Sequence, residues 1–171
     1  VKRWVIKHDM TSSKEKAVEL CLLATKLMKG EDGVKDFALA AQYYKEAAEA
    51  GLPAAQYNLA DLYLKGHGVP KDVHLAINWF EKAAQSGDLD ALYNLGLIYE
   101  QGKVGQADLE RAFSYFFKAA ESGLAKAQYE VACSYQLGKG VYKNANESKR
   151  WFEIAAKNGI RKAKEVRANL L

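Results

Sequence analysis

Four glycines, Gly51, Gly87, Gly123 and Gly159, stand 36 residues apart, and no spacing error accumulates between them. A fixed period of this length is the mark of a repeat architecture, in which no unit buries its apolar face alone and stacked neighbours complete the core. Other features keep the same period. An alanine pair precedes each glycine (Ala47-Ala48, Ala83-Ala84, Ala119-Ala120, Ala155-Ala156), and before each pair stand two aromatics: Tyr43-Tyr44, Trp79-Phe80, Tyr115-Phe116 and Trp151-Phe152. A second glycine series is Gly30, Gly66, Gly102 and Gly138, and a series of small residues is Ala24, Ala60, Gly96 and Ala132.

Glycine just past a helix end adopts the left-handed conformation without steric cost. Two such glycines per period therefore predict two helices per repeat. In the second repeat the first helix (A) is expected from about Pro53 to Lys65 and the second (B) from about Lys71 to Ser86. Asp72 is the expected N-cap of helix B, with Asp36, Asp108 and Asn144 at the matching positions. The first helix is expected to open at Ser12, since Ser12 and Glu15 have capping-box spacing.

Helical faces separate the two helix types. On helix A of the second repeat an arc from Leu62 through Ala55, Leu59, Ala60 and Tyr57 is almost wholly apolar, leaving Asn58, Asp61 and Lys65 on a polar stripe. Helix B carries one apolar face (Val73, Ala76, Ile77, Trp79, Phe80, Ala83, Ala84) and one broad polar face (His74, Asn78, Glu81, Lys82, Gln85). Helix A is thus expected to line the inside of a curved stack and helix B its outside. The small residue at Ala60 or Gly96 lets the B-helix aromatics approach closely. The resulting expectation is an all-α fold: a right-handed α/α superhelix, or solenoid, of four 36-residue helix–turn–helix repeats plus a C-terminal capping helix. Residues 1–16 form an N-terminal extension and the start of the first helix. The repeats fall at about 17–52, 53–88, 89–124 and 125–160, and residues 161–171 form the cap, all in one structural domain.

The run AQYNLADLYLKGHGVPKD at 55–72, followed by AINWFEKAAQSG at 76–87, resembles the consensus of the Sel-one-like repeat (SLR) family, a branch related to tetratricopeptide repeats. Residues 91–123 and 127–159 resemble it well, and residues 19–51 do so mainly in helix B. The resemblance implies an α/α superhelix serving as an adaptor or scaffold for protein complexes. Cysteine-rich relatives carry a disulfide in each repeat and some bind β-lactams. This chain lacks those cysteine pairs, so neither property carries over. The pattern breaks in three places. The third inter-helix turn reads Gly102-Lys-Val-Gly105 rather than Gly-x-Gly-Val. Ser148 replaces the alanine of positions 40, 76 and 112. Arg167 stands in the slot of Leu59 and Leu95, as on a solvated terminal cap.

Composition excludes several function classes. Apolar residues make up 49% and charged residues 27% of the chain, as in a folded soluble protein, and no stretch has the roughly 18 consecutive apolar residues of a membrane span. No signal-peptide pattern is read at the start. The compartment is not fixed: the cytoplasm is slightly favoured, with a periplasmic or secreted location left open because the first residue is Val1 rather than methionine. His8, His67 and His74 join no cysteine or carboxylate cluster at metal spacing, so no metal or other cofactor is expected. Gly66-His-Gly68 and Gly138-Lys-Gly140 read as structural turns, since a phosphate loop follows a strand. Cys21 and Cys133, three repeats apart, are too distant for a disulfide. With no nucleophile–base set, an enzyme acting on a small-molecule substrate is not expected, and neither is hydrolase or β-lactam-binding activity.

The expected partner is a protein or extended peptide held in the concave groove of the A helices. Candidate contacts are Asn58, Asp61 and Lys65; Asn94, Leu97 and Gln101; and Glu130, with Leu22, Thr25, Lys29, Cys133 and Leu137 in the equivalent slots. Asparagine both donates to and accepts from a peptide backbone; the competing reading is that these asparagines bond neighbouring repeats. Tyr57, Tyr93 and Tyr129 flank the stripe and either pack or touch ligand. Phe117 takes an outward slot held elsewhere by Lys45, Glu81 and Glu153, which marks either a contact patch or a lone exposed aromatic. Charge gives an alternative. Residues 1–18 carry five basic and two acidic groups, residues 19–90 seven and eleven, and residues 127–171 nine and four. This is ordinary surface variation, or a basic C-terminal end (Lys139, Lys143, Lys149, Arg150, Lys157, Arg161, Lys162) for nucleic acid or an acidic partner. Bases and aromatics are not interleaved as on a stacking platform, so nucleic acid is not the favoured partner. Trp4 and Val5 fall outside the repeat register and either cover the first repeat or lack order.

Overall fold

The computed structural model describes residues 13–31, 33 and 35–169, with side chains to residue 166. The described residues form α-helices in the order α1 (Ser13–Lys29), α2 (Phe37–Glu49), α3 (Pro53–Lys65), α4 (Val73–Gln85), α5 (Leu89–Glu100), α6 (Leu109–Glu121), α7 (Ala125–Leu137), α8 (Ala145–Lys157) and α9 (Arg161–Asn169), with no strand among them. They divide into two compact units, residues 1–88 with α1–α4 and residues 89–171 with α5–α9. In each unit an A helix packs on the B helix of its own repeat (α1 on α2, α3 on α4, α5 on α6, α7 on α8), and a B helix packs on the next A helix (α2 on α3, α6 on α7, α8 on α9). The expected Ser12 start, Trp4, Val5 and His8, and the side chain of Arg167 lie outside the described residues.

The two helix types are sealed by different chemistry. Each B helix opens on a side-chain cap: Asp36 accepts from Leu39 N at 2.9 Å, Asp72 from Leu75 N at 2.9 Å, Asp108 from Arg111 N at 3.0 Å, and Asn144 from Asn146 N and Glu147 N at 3.1 Å. Each such bond satisfies an N–H that the helix itself leaves open. The A helices α3 and α7 open without a side-chain cap, after Leu52 and Leu124. There the preceding helix end does the work. Leu52 N reaches back to Ala47 O at 3.1 Å through the left-handed Gly51, φ +86°, a Schellman closure that turns one helix into the next.

Within each unit the core is a layer of alanines against aromatics. Ala60 and Ala132 are fully buried, as are Phe80, Phe116 and Phe152. At Gly96 a methyl group would come within 2.6 Å of Phe116 Cδ1 and closer still to Cε1, so the third repeat has closed even the space an alanine needs. Ser148 is buried at the slot of three alanines because its hydroxyl donates to Ala132 O, 2.9 Å away on α7. The third inter-helix turn differs as its sequence implied. Gly66 N and Gly138 N bond the carbonyls four residues back, Leu62 O and Ser134 O, whereas Gly102 N bonds Tyr99 O, three back, and α5 ends one residue early.

A repeat-to-repeat comparison gives a stability prediction. Gln128 Nε2 donates to Ala120 O at 3.2 Å, and its Oε1 accepts from Asn158 Nδ2 at 2.8 Å. Gln56 makes the first bond, to Ala48 O at 3.2 Å, but its buried Oε1 has no partner. Ser86 stands where the later repeat has Asn158, and its hydroxyl donates to Lys82 O instead. A buried acceptor left unpaired is costly. Ser86→Asn is therefore expected to raise unfolding stability by about 1 kcal/mol, and Asn158→Ser to lower it by a similar amount, measured by urea titration. Equal stability in both variants and the parent would refute this pairing.

Candidate functional site

On the A helices α3, α5 and α7 most of the circumference is covered. On α3, Ala55, Leu59, Ala60 and Leu62 are at most 1% exposed, while Asn58 and Asp61 are half-buried and Lys65 is exposed. On α5, Ala91, Leu95 and Ile98 are buried, Asn94 and Leu97 are half-buried, and Gln101 is exposed just past the helix end. On α7, Glu130 and Cys133 are half-buried and Leu137 is 55% exposed. The uncovered stripe thus runs along the residues expected from the helical wheel, at spacings of three and four. Its tyrosines pack on the B helices. Tyr57 meets Phe80 at 5.5 Å, Tyr93 meets Phe116 at 5.5 Å, and Tyr129 meets Phe152 at 5.6 Å between ring centroids. These edge and tilted contacts are favourable aromatic geometries, so one side of each ring is engaged in the core.

The stripe is tied down differently in the two units. In the first, its bonds stay within one repeat. Lys65 Nζ bonds Asp61 Oδ2 at 2.6 Å, Lys29 lies 3.4 Å from Glu31, and Thr25 turns inward to Cys21 O and Tyr44 Oη at 2.8 and 2.9 Å. In the second, α5 and the elements after it are cross-linked. Lys126 pairs with Asp90 and sits 4.3 Å over the Tyr93 ring. Lys139 bonds Glu100 at 3.0 Å. Asn94 Nδ2 donates to Asp90 O within its own helix at 3.0 Å. These links were missed on the helical wheel, although Asp90 and Lys126, opposite charges one period apart, were a signal for them.

Phe117 corrects an expectation. It is half-buried rather than outward and free. Its ring stacks edge-on against Trp151 of α8 at 5.7 Å and lies 5.6 Å from Phe113, so the aromatic at this slot extends the core of the second unit. His67 is exposed in the α3–α4 turn beside Phe37, with ring centroids 5.4 Å apart. No group of His, Cys, Asp and Glu among the described residues could hold a metal ion. Cys21 and Cys133 are free thiols raised by burial, which removes the thiolate character a reactive cysteine needs. No helix among the described residues is long and apolar enough to cross a membrane.

Burial, and then the nearby Glu100 carboxylate, push the Glu130 carboxyl above its ordinary 4.5, against the pull of Lys139, Tyr93 and Lys162. A carboxyl whose value is higher folded than unfolded binds its proton more tightly in the fold. Its stabilising contribution is complete below the ordinary value and is lost as pH rises through the raised one. Glu130→Gln is therefore expected to be more stable than the parent at neutral pH, with the difference shrinking as pH falls below the carboxylate range. Thermal melts across pH check this; a constant difference between the two proteins would show that Glu130 titrates normally.

The Sel1 repeat family model matches residues 20–52, 53–88, 89–124 and 125–160, most of the chain. The chain belongs to the Sel1 repeat family. Among solved structures, the Sel1 repeat fold is shared with a Sel1 repeat protein from Oxalobacter formigenes at 31% identity and a TM-score of 0.82, covering 96% of this chain and 67% of that one. A protective antigen with an SLR fold from uropathogenic Escherichia coli has 31% identity and a TM-score of 0.80, covering 90% of this chain. This chain spans 33% of the length of that antigen. Helicobacter pylori cysteine rich protein B has 26% identity and a TM-score of 0.60, covering 77% of this chain and 95% of that one. No curated protein matches the chain in sequence. Sel1 repeat proteins generally act as protein-interaction scaffolds and are typically non-catalytic.

Proposed function

We propose that the chain is a scaffold that holds extended segments of a partner protein along the uncovered stripe of the A helices within each unit. One observation carries this reading: beside neighbours at most 1% exposed, the stripe of α3 keeps Asn58, Asp61 and Lys65 accessible. Asn58 and Asn94 supply donors and acceptors for a peptide backbone, Asp61, Lys65 and Glu130 supply charge, and Leu97, Gln101, Tyr57 and Tyr93 supply contact area beside them. An extended chain recognised through its main chain and a few side chains is an established mode of peptide binding. Phe117 is left out, since Trp151 engages its ring.

Affinity capture from native extract, comparing the parent with Asn58→Ala combined with Asn94→Ala, tests the reading. Both side chains are half-buried and polar, so the variant is expected to keep its melting temperature and lose the captured partner. A partner retained in full by the folded double variant places binding elsewhere.

The alternative, nucleic acid or an acidic partner at the basic C-terminal end, draws less support. Lys139, Arg150 and Arg161 are engaged by Glu100, Glu147 and Glu165 at 3.0, 3.3 and 3.2 Å, which leaves fewer cations for phosphate. Binding of this kind weakens steeply with salt, and a salt titration with generic DNA and RNA separates it from groove binding.

A further inference from the structure

The first helix carries an apolar strip that its counterparts do not. Val18, Leu22 and Leu23 are 46, 60 and 40% exposed. One period later the same slots hold Ala54, Asn58 and Leu59, and Leu59 is only 1% exposed because α2 packs on α3. Among the described residues nothing precedes α1 to do the same. Two shallow apolar hollows, of about 370 and 310 Å³, share Lys14 and Val18: one is lined further by Leu22, Glu15 and Glu19, the other by Leu52 and Pro53. Glu19 and Lys26 stand where α3 has Ala55 and Leu62. The face is therefore too polar to be covered by a whole helix in the manner of α2 on α3, yet it offers a strip that a short apolar segment fills.

We propose that this strip is covered by residues 1–12 of the same chain, with Trp4, Val5 and Ile6 seated over Val18 and Leu22. Three observations converge on that occupant. Trp4-Val5-Ile6 is the one apolar cluster in the stretch directly before α1. It is flanked by Lys2, Arg3 and Lys7, with Asp9 the one acidic residue of the segment, while the strip is rimmed by Glu15 and Glu19 against Lys14, so the charges are complementary on balance. The reach is sufficient. Leu22 lies about 14 Å along the axis from Ser13, and the chain from Ser12 back to Trp4 extends to roughly 27 Å. Tethering to α1 raises the effective concentration of the segment over that of any free competitor. The inference does not depend on partner binding at Asn58 or Asn94.

The test is ¹⁹F NMR of the full chain labelled with 5-fluorotryptophan, with the Trp4 resonance assigned by Trp4→Phe and the peptide 1–12 as reference. The Trp4 resonance is expected to be displaced from its position in the peptide, to stay displaced on dilution, and to return to the peptide position in Leu22→Glu and in Val18→Lys. Both substituted residues are exposed, and circular dichroism verifies that the variants are folded. Three results overturn the proposal. A Trp4 resonance already at the peptide position leaves the strip to another protein. A displacement lost on dilution assigns it to a second copy. A displacement unmoved by both variants places Trp4 on another face.

Discussion

Gly140→Ala is expected to cost about 2–5 kcal/mol of unfolding stability, whereas Gly159→Ala costs about 1–2 kcal/mol. Both glycines have positive φ, +67° and +95°, so both variants force a side chain into the left-handed region. They differ in what surrounds the new methyl. Nothing lies within 4 Å of a Cβ at Gly159. At Gly140 the Cβ would overlap the carbonyl of Leu109, the first residue of α6. That neighbour is backbone at a helix start and has no rotamer to give way. The same arrangement recurs in the first unit, where a Cβ at Gly68 would overlap the carbonyl of Phe37. The second glycine of each Gly-x-Gly turn is therefore a seat for the loop on the start of the preceding repeat's B helix. Urea denaturation of the two alanine variants side by side measures the difference, and equal losses would mean that the loop is not seated there.

Gly96→Trp is the second large expected effect, a loss on the order of 1–3 kcal/mol or more. The matching slots of the other repeats hold Ala24, Ala60 and Ala132, all fully buried, so a methyl group is the largest side chain this layer has accepted. Phe116 has moved into even that volume in the third repeat. A tryptophan has no direction in which to leave, because α5 is packed on α6 there. For a chain of this size each kcal/mol lowers Tm by about 2–4 °C. Gly96→Ala should fall between the parent and Gly96→Trp, since a Cβ overlapping Phe116 Cε1 makes that ring shift without making it vacate its site. An unchanged Tm for Gly96→Trp would contradict close packing at this layer.

Helix boundaries were legible because their signals are local. Asp36, Asp72, Asp108 and Asn144 cap as their position before each B helix suggested, and α3 spans Pro53–Lys65 as its glycine implied. The stripe on α3 was equally legible, since one helical wheel separates Asn58 from Leu59. What escaped depends on two helices at once. Phe117 was taken as outward because the same slot holds Lys45, Glu81 and Glu153 in the other repeats; Trp151, in the next repeat, is what its ring meets. The pairs Lys126–Asp90 and Lys139–Glu100 join residues far apart in sequence, at a distance only stacking determines. Ser148 read as a break in the alanine pattern until its hydroxyl was seen to meet Ala132 O.

Each B helix starts on an Asx residue from its own period, and the glycine ending that period also launches the A helix that follows. Start and stop instructions therefore travel together inside every 36-residue block. Duplicating or deleting one whole block leaves no helix end unsealed, so a gene can lengthen or shorten such a protein by recombination without inventing new termini. The number of docking positions then becomes a heritable variable, adjustable one module at a time.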